Sequence, residues 1–196
     1  EDSLDNRVKD IIDKTDMRYS TIDSKMKEKL FVSMLVSLDK NQKKSGDHRI
    51  DDWEKGWSEN FEEINKKGID EGIVPKYWGK FDYMRWGETF IKMESSRFEE
   101  KFQKVLVTWV LEKYFKKIDS IYEFGCGTGQ NLIVAREIYP KKKLIGLDWT
   151  KASQKIIESL NKNINLNCKA INFNFFNPSK DVSFEKNDGV ITISAL

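Results

Sequence analysis

One histidine and two cysteines are all that the 196-residue sequence provides as imidazole or thiolate groups. Cys126 and Cys168 stand far apart with no second pair beside them, so a structural zinc site is not expected. Both thiols are read as reduced, which points to the cytoplasm. His48 lies in the polar stretch NQKKSGDHR, where a surface or turn role is expected, and nothing near it supports a serine–histidine–aspartate hydrolase. The net charge is only +2, too small for a global field that would gather nucleic acid or an acidic membrane, and no nucleic-acid partner is expected. No apolar run approaches the ~20 residues that span a bilayer, so no membrane role is expected. No secretory leader is read, although a chain that begins at Glu1 leaves room for one already removed. Internal repeats and low-complexity segments are lacking too.

What is present is a helical first half. Leu4, Val8, Ile11 and Ile12 recur at helical spacing. Ile22, Met26, Leu30, Met34 and Leu38 repeat every four residues, Phe31 and Leu35 widen the stripe, and Ser20 and Thr21 are plausible caps. The stretch NQKKSGDH reads as a linker. A third helix carries Ile50, Trp53, Trp57, Phe61 and Ile64 on one face and ends at Gly68. That aromatic face is read as packing within the helical part, with a partner surface as the alternative. Residues Gly72 to Met93 show no clear period and are expected to be mostly irregular, with a short helix or strand. A strong helix returns from Glu94 to about Lys117.

The pattern then changes. SIYEF, KKLIGLD, NCKAINFNFF and DGVITISAL read as strands, with TGQNLIVAREIY and TKASQKIIESLNKN as helices between the first three. This alternation predicts an α/β fold: a Rossmann-like, doubly wound, mostly parallel sheet, its first four strands present, with an N-terminal helical appendage.

The first strand-to-helix turn is EFGCGTG. Glycines there let the backbone bend sharply and let a ligand approach closely. Gly125, Gly127 and Gly129 are spaced G-x-G-x-G, so the third comes one residue too early for the dinucleotide pattern G-x-G-x-x-G. Glu123 before the turn would repel a pyrophosphate but accept bonds from a cationic or amino-bearing ligand. Both features count against a nicotinamide oxidoreductase.

EFGCGTG resembles motif I of the class I S-adenosylmethionine-dependent methyltransferases, and LIGLDW supplies the strand-end acid, Asp148, expected about 20 residues on. The resemblance runs from about Glu94 to Leu196, and YMRWGETFIKMESSRFEEKF is similar to the lead-in of uncharacterised bacterial members. It implies that S-adenosylmethionine is the cofactor. Gly125, Cys126, Gly127 and Gly129 would then pack against its methionine portion and ribose, with Glu123 organising the amino-acid end. Asp148 would take the ribose hydroxyls, and Trp149 would stack on the adenine unless it is ordinary core or surface. The adenine amino group falls to Asn174, or to Asn172 in the alternative register, where the family often has an aspartate. Cys126 is otherwise read as a small space-filler.

The implied division is a helical and lid region over 1–93 and a cofactor-binding domain over 94–196. Tyr83, Arg85 and Trp86 are lid candidates or ties between the two parts. The family's sheet normally has seven strands, so the second domain reads as C-terminally incomplete. VITISA would be an apolar edge, covered by the rest of a longer chain, by a second copy or by the N-terminal helices. The expected activity is methyl transfer to an acceptor, taken as a small molecule since no N-P-P-Y-type motif follows the fourth strand. A non-catalytic methyltransferase-like binding protein is the alternative. No general base is assigned: Glu88 and Glu94 read as solvated charges. Lys141 to Lys143 reads as a solvated loop.

Overall fold

The computed structural model describes residues 4–39, 44, 46–178, 180, 182–193 and 195. Helix α1 (Asn6–Asp13) starts at Asp5, whose carboxylate accepts from the Arg7 amide, and buries Val8. Strand β1 is Tyr19–Thr21 and helix α2 is Ser24–Asp39. The four-residue stripe expected of α2 forms a helix but not a core: Phe31, Met34, Leu35 and Leu38 are all exposed. Much of the linker expected over 41–48 lies outside the described residues, and His48 sits exposed in a 3-10 turn, Asp47–Arg49.

Helix α3 (Ile50–Lys67) buries Trp57, Asn60 and Ile64 and ends at Gly68, whose φ of 92° suits glycine. The short α4 (Ile69–Gly72) follows. The two helices are tied by the Asn60 amide, which donates to the carbonyls of Gly72 and Val74 at 2.7 and 2.8 Å.

The segment expected to be mostly irregular contains a hairpin. Strands β2 (Tyr83–Trp86) and β3 (Thr89–Met93) are antiparallel, with Trp86 paired to Thr89 across Gly87, at φ 58°, and Glu88. With β1 they form a three-stranded sheet in the order β1-β3-β2. Ile91, Met93 and Phe98 make its small core with Met17, Met84 and Phe102.

Helix α5 (Phe98–Tyr114) leads into β4 (Ser120–Phe124), α6 (Gln130–Ile138), β5 (Lys143–Asp148), α7 (Lys151–Ile164), β6 (Cys168–Asn172) and β7 (Asp188–Thr192). The last four strands are parallel, in the order β6-β5-β4-β7. The chain therefore winds one way from β4 through β6 and returns to the other side of β4 with β7. This is the Rossmann-like, doubly wound arrangement that the alternation predicts. The reversal of strand order opens a crevice beyond the carboxyl ends of β4 and β7, where such sheets bind ligands. Among the described residues no strand pairs with the outer side of β7, and Val190 there is exposed.

One hydrophobic cluster joins the sheet to the helices on either side of residue 93. Trp57, Ile64 and Ile73 share it with Leu111, Ile121, Leu132, Leu144 and Ile157. Lys142 differs from its expected solvated state. Its ammonium donates to the carbonyls of Phe115, Lys116 and Ile118 and so closes the C-terminal end of α5. Among the described residues no helix is long and apolar enough to cross a membrane, and no group of three or more His, Cys, Asp or Glu side chains is placed to hold a metal ion.

Candidate functional site

The glycine turn is fixed first by its own backbone. The amides of Gly125 and Cys126 both donate to the Leu147 carbonyl, at 2.7 and 3.1 Å, which binds the turn to the end of β5. Gly125, Gly127 and Gly129 have φ values of 69°, 49° and 76°, left-handed conformations that a side chain would strain. Gly129 then starts α6.

Asp148 locks the turn from the neighbouring strand. Its Oδ2 accepts from the Gly127 amide at 3.0 Å, and its Oδ1 accepts from the Thr150 amide and hydroxyl at 3.0 and 2.7 Å. Thr150 in turn caps α7 through the Ser153 amide, and the Ser153 hydroxyl donates back to the Gly127 carbonyl. Burial raises the Asp148 pKa while these donors lower it. Oδ1 is filled by its two bonds, while Oδ2, with one, retains acceptor capacity.

Glu123 is 1% exposed. Its Oε1 accepts from the Asn131 amide at 2.7 Å, while Oε2 is buried with no hydrogen-bond partner among the described residues. Burial pushes its pKa up to about 8, the Asn131 bond pulls it down, and the Asp148 charge adds to the rise. Cys126 is also buried, its thiol pKa raised well above the ordinary value by the same burial, which suits a space-filling role beside Ser153 and Gly146.

These residues form the floor of a cleft of about 450 Å³, a size suited to a small molecule. Glu123, Gly125, Cys126, Gly127, Asp148 and Trp149 all line it. Gly129 lies just behind, where a Cβ would strike Ile157. Asn174 is not brought to the cleft: its amide donates to Asp47, and its carbonyl accepts from the Phe176 amide. Asn172 is likewise engaged, holding the Trp149 carbonyl at 2.9 Å. Phe173, Phe175 and Phe176 line that end instead.

The opposite wall comes from the first half of the chain. Trp53, Trp57, Pro75, Tyr77 and Trp78 line the cleft, with Arg49 at its rim. A Cβ on Gly127 would lie 2.8 Å from the Trp57 ring, so the indole rests on the glycine turn itself. Glu54 anchors the same helix by accepting from the Lys151 amide at 2.7 Å, which satisfies an orphan donor at the start of α7. The lid candidates Tyr83, Arg85 and Trp86 do not line the cleft; Trp86 packs on Phe102 at 5.1 Å and ties the hairpin to α5. Glu88 and Glu94 are also outside it. The helical spacing of Trp53 and Trp57 signals burial but not the surface they bury. Tyr77 and Trp78 sit in a stretch without a period and give no such signal.

The polar cleft floor fits a sulfonium nucleoside. The floor offers a buried carboxyl oxygen with no hydrogen-bond partner among the described residues, a second carboxylate lies one strand away, and aromatic rings provide stacking faces.

No family model and no curated protein matches the chain. Solved methyltransferase structures resemble its fold. The plantazolicin methyltransferase BpumL in complex with SAH is 17% identical, with a TM-score of 0.38 over 74% of this chain and 49% of that one. Coclaurine N-methyltransferase is 13% identical, with a TM-score of 0.39 over 86% of this chain and 50% of that one. The geranyl diphosphate C-methyltransferase from Streptomyces coelicolor A3(2) is 14% identical, with a TM-score of 0.33 over 52% of this chain and 45% of that one. The chain spans about half the length of these proteins or less.

Proposed function

We propose that the chain binds S-adenosylmethionine in this cleft and serves methyl transfer to a small-molecule acceptor. The observation that carries the proposal is the buried Glu123 Oε2, without a hydrogen-bond partner among the described residues, at the floor of a cleft built by the glycine turn and Asp148. Before a ligand binds, Glu123 is largely protonated at neutral pH; an ammonium group would favour its ionised form and supply the missing donor.

Glu123 would hold the amino end of the ligand, Asp148 the ribose hydroxyls, and Trp149 the adenine. When bound, the cofactor supplies a methyl group already activated by its sulfonium charge. The chain's own contribution is to orient the acceptor and exclude water, which the aromatic wall of Trp53, Trp57 and Tyr77 is placed to do.

Calorimetry with S-adenosylmethionine and with NAD tests the binding claim: the first is expected to bind and the second not. Binding of NAD alone, or of neither, overturns it. Formation of S-adenosylhomocysteine with a panel of acceptors then separates transfer from binding alone.

A further inference from the structure

The aromatic wall opposite the glycine turn is an unbroken chain of rings. Trp53 and Trp57 lie 5.6 Å apart, Trp57 and Tyr77 6.2 Å, and Tyr77 and Trp78 6.1 Å between centroids. All four line the cleft whose floor holds Glu123 and Asp148. Tyr77 feels the Glu123 charge: burial raises its phenol pKa, and Glu123 raises it further. Among the described residues the cleft lining contains one cationic side chain, Arg49. That guanidinium lies 3.6 Å from the Asp52 carboxylate and 5.6 Å over the Trp53 ring, so the Trp53 face is already covered, and its Nε is buried with no hydrogen-bond partner among the described residues. Among the described residues no cation lies over the rings of Trp57, Tyr77 and Trp78, whose faces are electron-rich. Such a surface selects positive charge over neutral groups of the same shape.

We propose that Trp57, Tyr77 and Trp78 form a cation-selective pocket for the acceptor, and that the acceptor is an amine-bearing small molecule. This rests on the methyl-transfer reading above. The amine reacts as its free base, having lost any proton to solvent. Its nitrogen lone pair forms the bond to the methyl carbon, the carbon–sulfur pair stays with sulfur, and the positive charge passes from sulfur to nitrogen. A primary or secondary amine then releases one proton. The cation is the sulfonium before the step and the alkylated nitrogen after it, so rings beside the acceptor stabilise the charge as it moves towards them.

The test uses choline and its neutral carbon isostere, 3,3-dimethylbutan-1-ol, as probes of the full chain by calorimetry, with and without saturating S-adenosylhomocysteine. Choline is expected to bind about tenfold more tightly than the isostere, and to do so with S-adenosylhomocysteine in place. Tyr77→Leu and Trp78→Leu, at half-exposed or exposed positions, are expected to abolish the preference while keeping the melting transition. Equal affinity for the two probes overturns the cation pocket. Displacement of choline by S-adenosylhomocysteine overturns its assignment to the acceptor, since the rings would then serve the cofactor. Failure of S-adenosylhomocysteine to bind removes the methyl-donor reading and the acceptor assignment with it, while the choline-to-isostere ratio still decides whether the pocket selects cations.

Discussion

Asp148 accepts a hydrogen bond from the Gly127 amide at 3.0 Å, so the residue read as a ligand anchor is also the clasp that holds the glycine turn. The two roles have separable consequences. Asp148→Ala is expected to weaken cofactor binding and also to lower folding stability. It leaves the buried amides of Gly127 and Thr150 without their acceptor, at about 1–3 kcal/mol for each group left unpaired. Urea denaturation of the ligand-free variant measures this cost. A variant as stable as the parent would show that the clasp contributes nothing to folding.

Glu123 makes stability depend on pH. A carboxyl whose folded pKa lies above its unfolded value holds its proton more tightly when folded. The resulting stability is fully present below the unfolded value, near 4.5, and is lost as pH rises through about 8. The titratable groups coupled to it are Asp148, Tyr77, Cys126 and Cys168. Stability should therefore fall between pH 6 and 8, by up to ~1.4 kcal/mol per pH unit from this group. Glu123→Gln should flatten the slope and make the protein more stable than the parent at pH 8. Denaturation curves at the two pH values check both statements.

The parts of this site that the sequence reveals are those encoded by neighbours along the chain. SIYEF followed by glycines marks a strand entering a turn, and the acids Glu123 and Asp148 fall at positions that the pattern itself defines. The alternation implies parallel strands, but the placing of β7 on the far side of β4 is tertiary. The aromatic wall is another matter. Trp57 belongs to a helix whose apolar period is plain, yet a period states only that a face is buried, and the choice of Gly127 as its partner is tertiary. The β2–β3 hairpin was legible in part: YMRW and TFIKM flank Gly87 and Glu88, a two-residue loop opened by glycine. Its strands are short and rich in aromatics, so alternation is hard to see. Asn174 shows the converse error. Its place in NFNFF suggests a strand end, but β6 stops at Asn172 and the chain turns away towards Asp47.

The Trp57–Gly127 contact makes a prediction of coupling. A methyl group on Gly127 would stand 2.8 Å from the indole and would also strain a residue at φ 49°. Gly127→Ala should cost about 1–2 kcal/mol from the left-handed backbone alone, with the steric clash added to it. In a Trp57→Leu background the clash is removed and only the backbone cost remains. A double-mutant cycle should therefore show a smaller cost for Gly127→Ala when Trp57 is absent. Strict additivity would mean that the indole does not rest on the turn in solution.

Arg136 concentrates the support of the sheet's far end in one side chain. Its guanidinium donates to the carbonyls of Leu166 and Asn167 after α7, and to those of Tyr139, Pro140 and Lys142 before β5. These carbonyls belong to the loops that set where β5 and β6 begin, so the fork aligns β5, which carries Asp148 to the cleft, with β6, whose Asn172 holds the Trp149 carbonyl. A lysine keeps the charge but presents one nitrogen where the fork presents three. Arg136→Lys should therefore leave several carbonyls unpaired and lower stability by about 1.5–3 kcal/mol for each charged hydrogen bond that is not replaced. Thermal melts measure the loss, and hydrogen exchange should locate it at the loops around residues 139–142 and 165–167. A lysine variant with unchanged melting and exchange would show that the charge alone suffices and that the fork geometry does not set the strand ends.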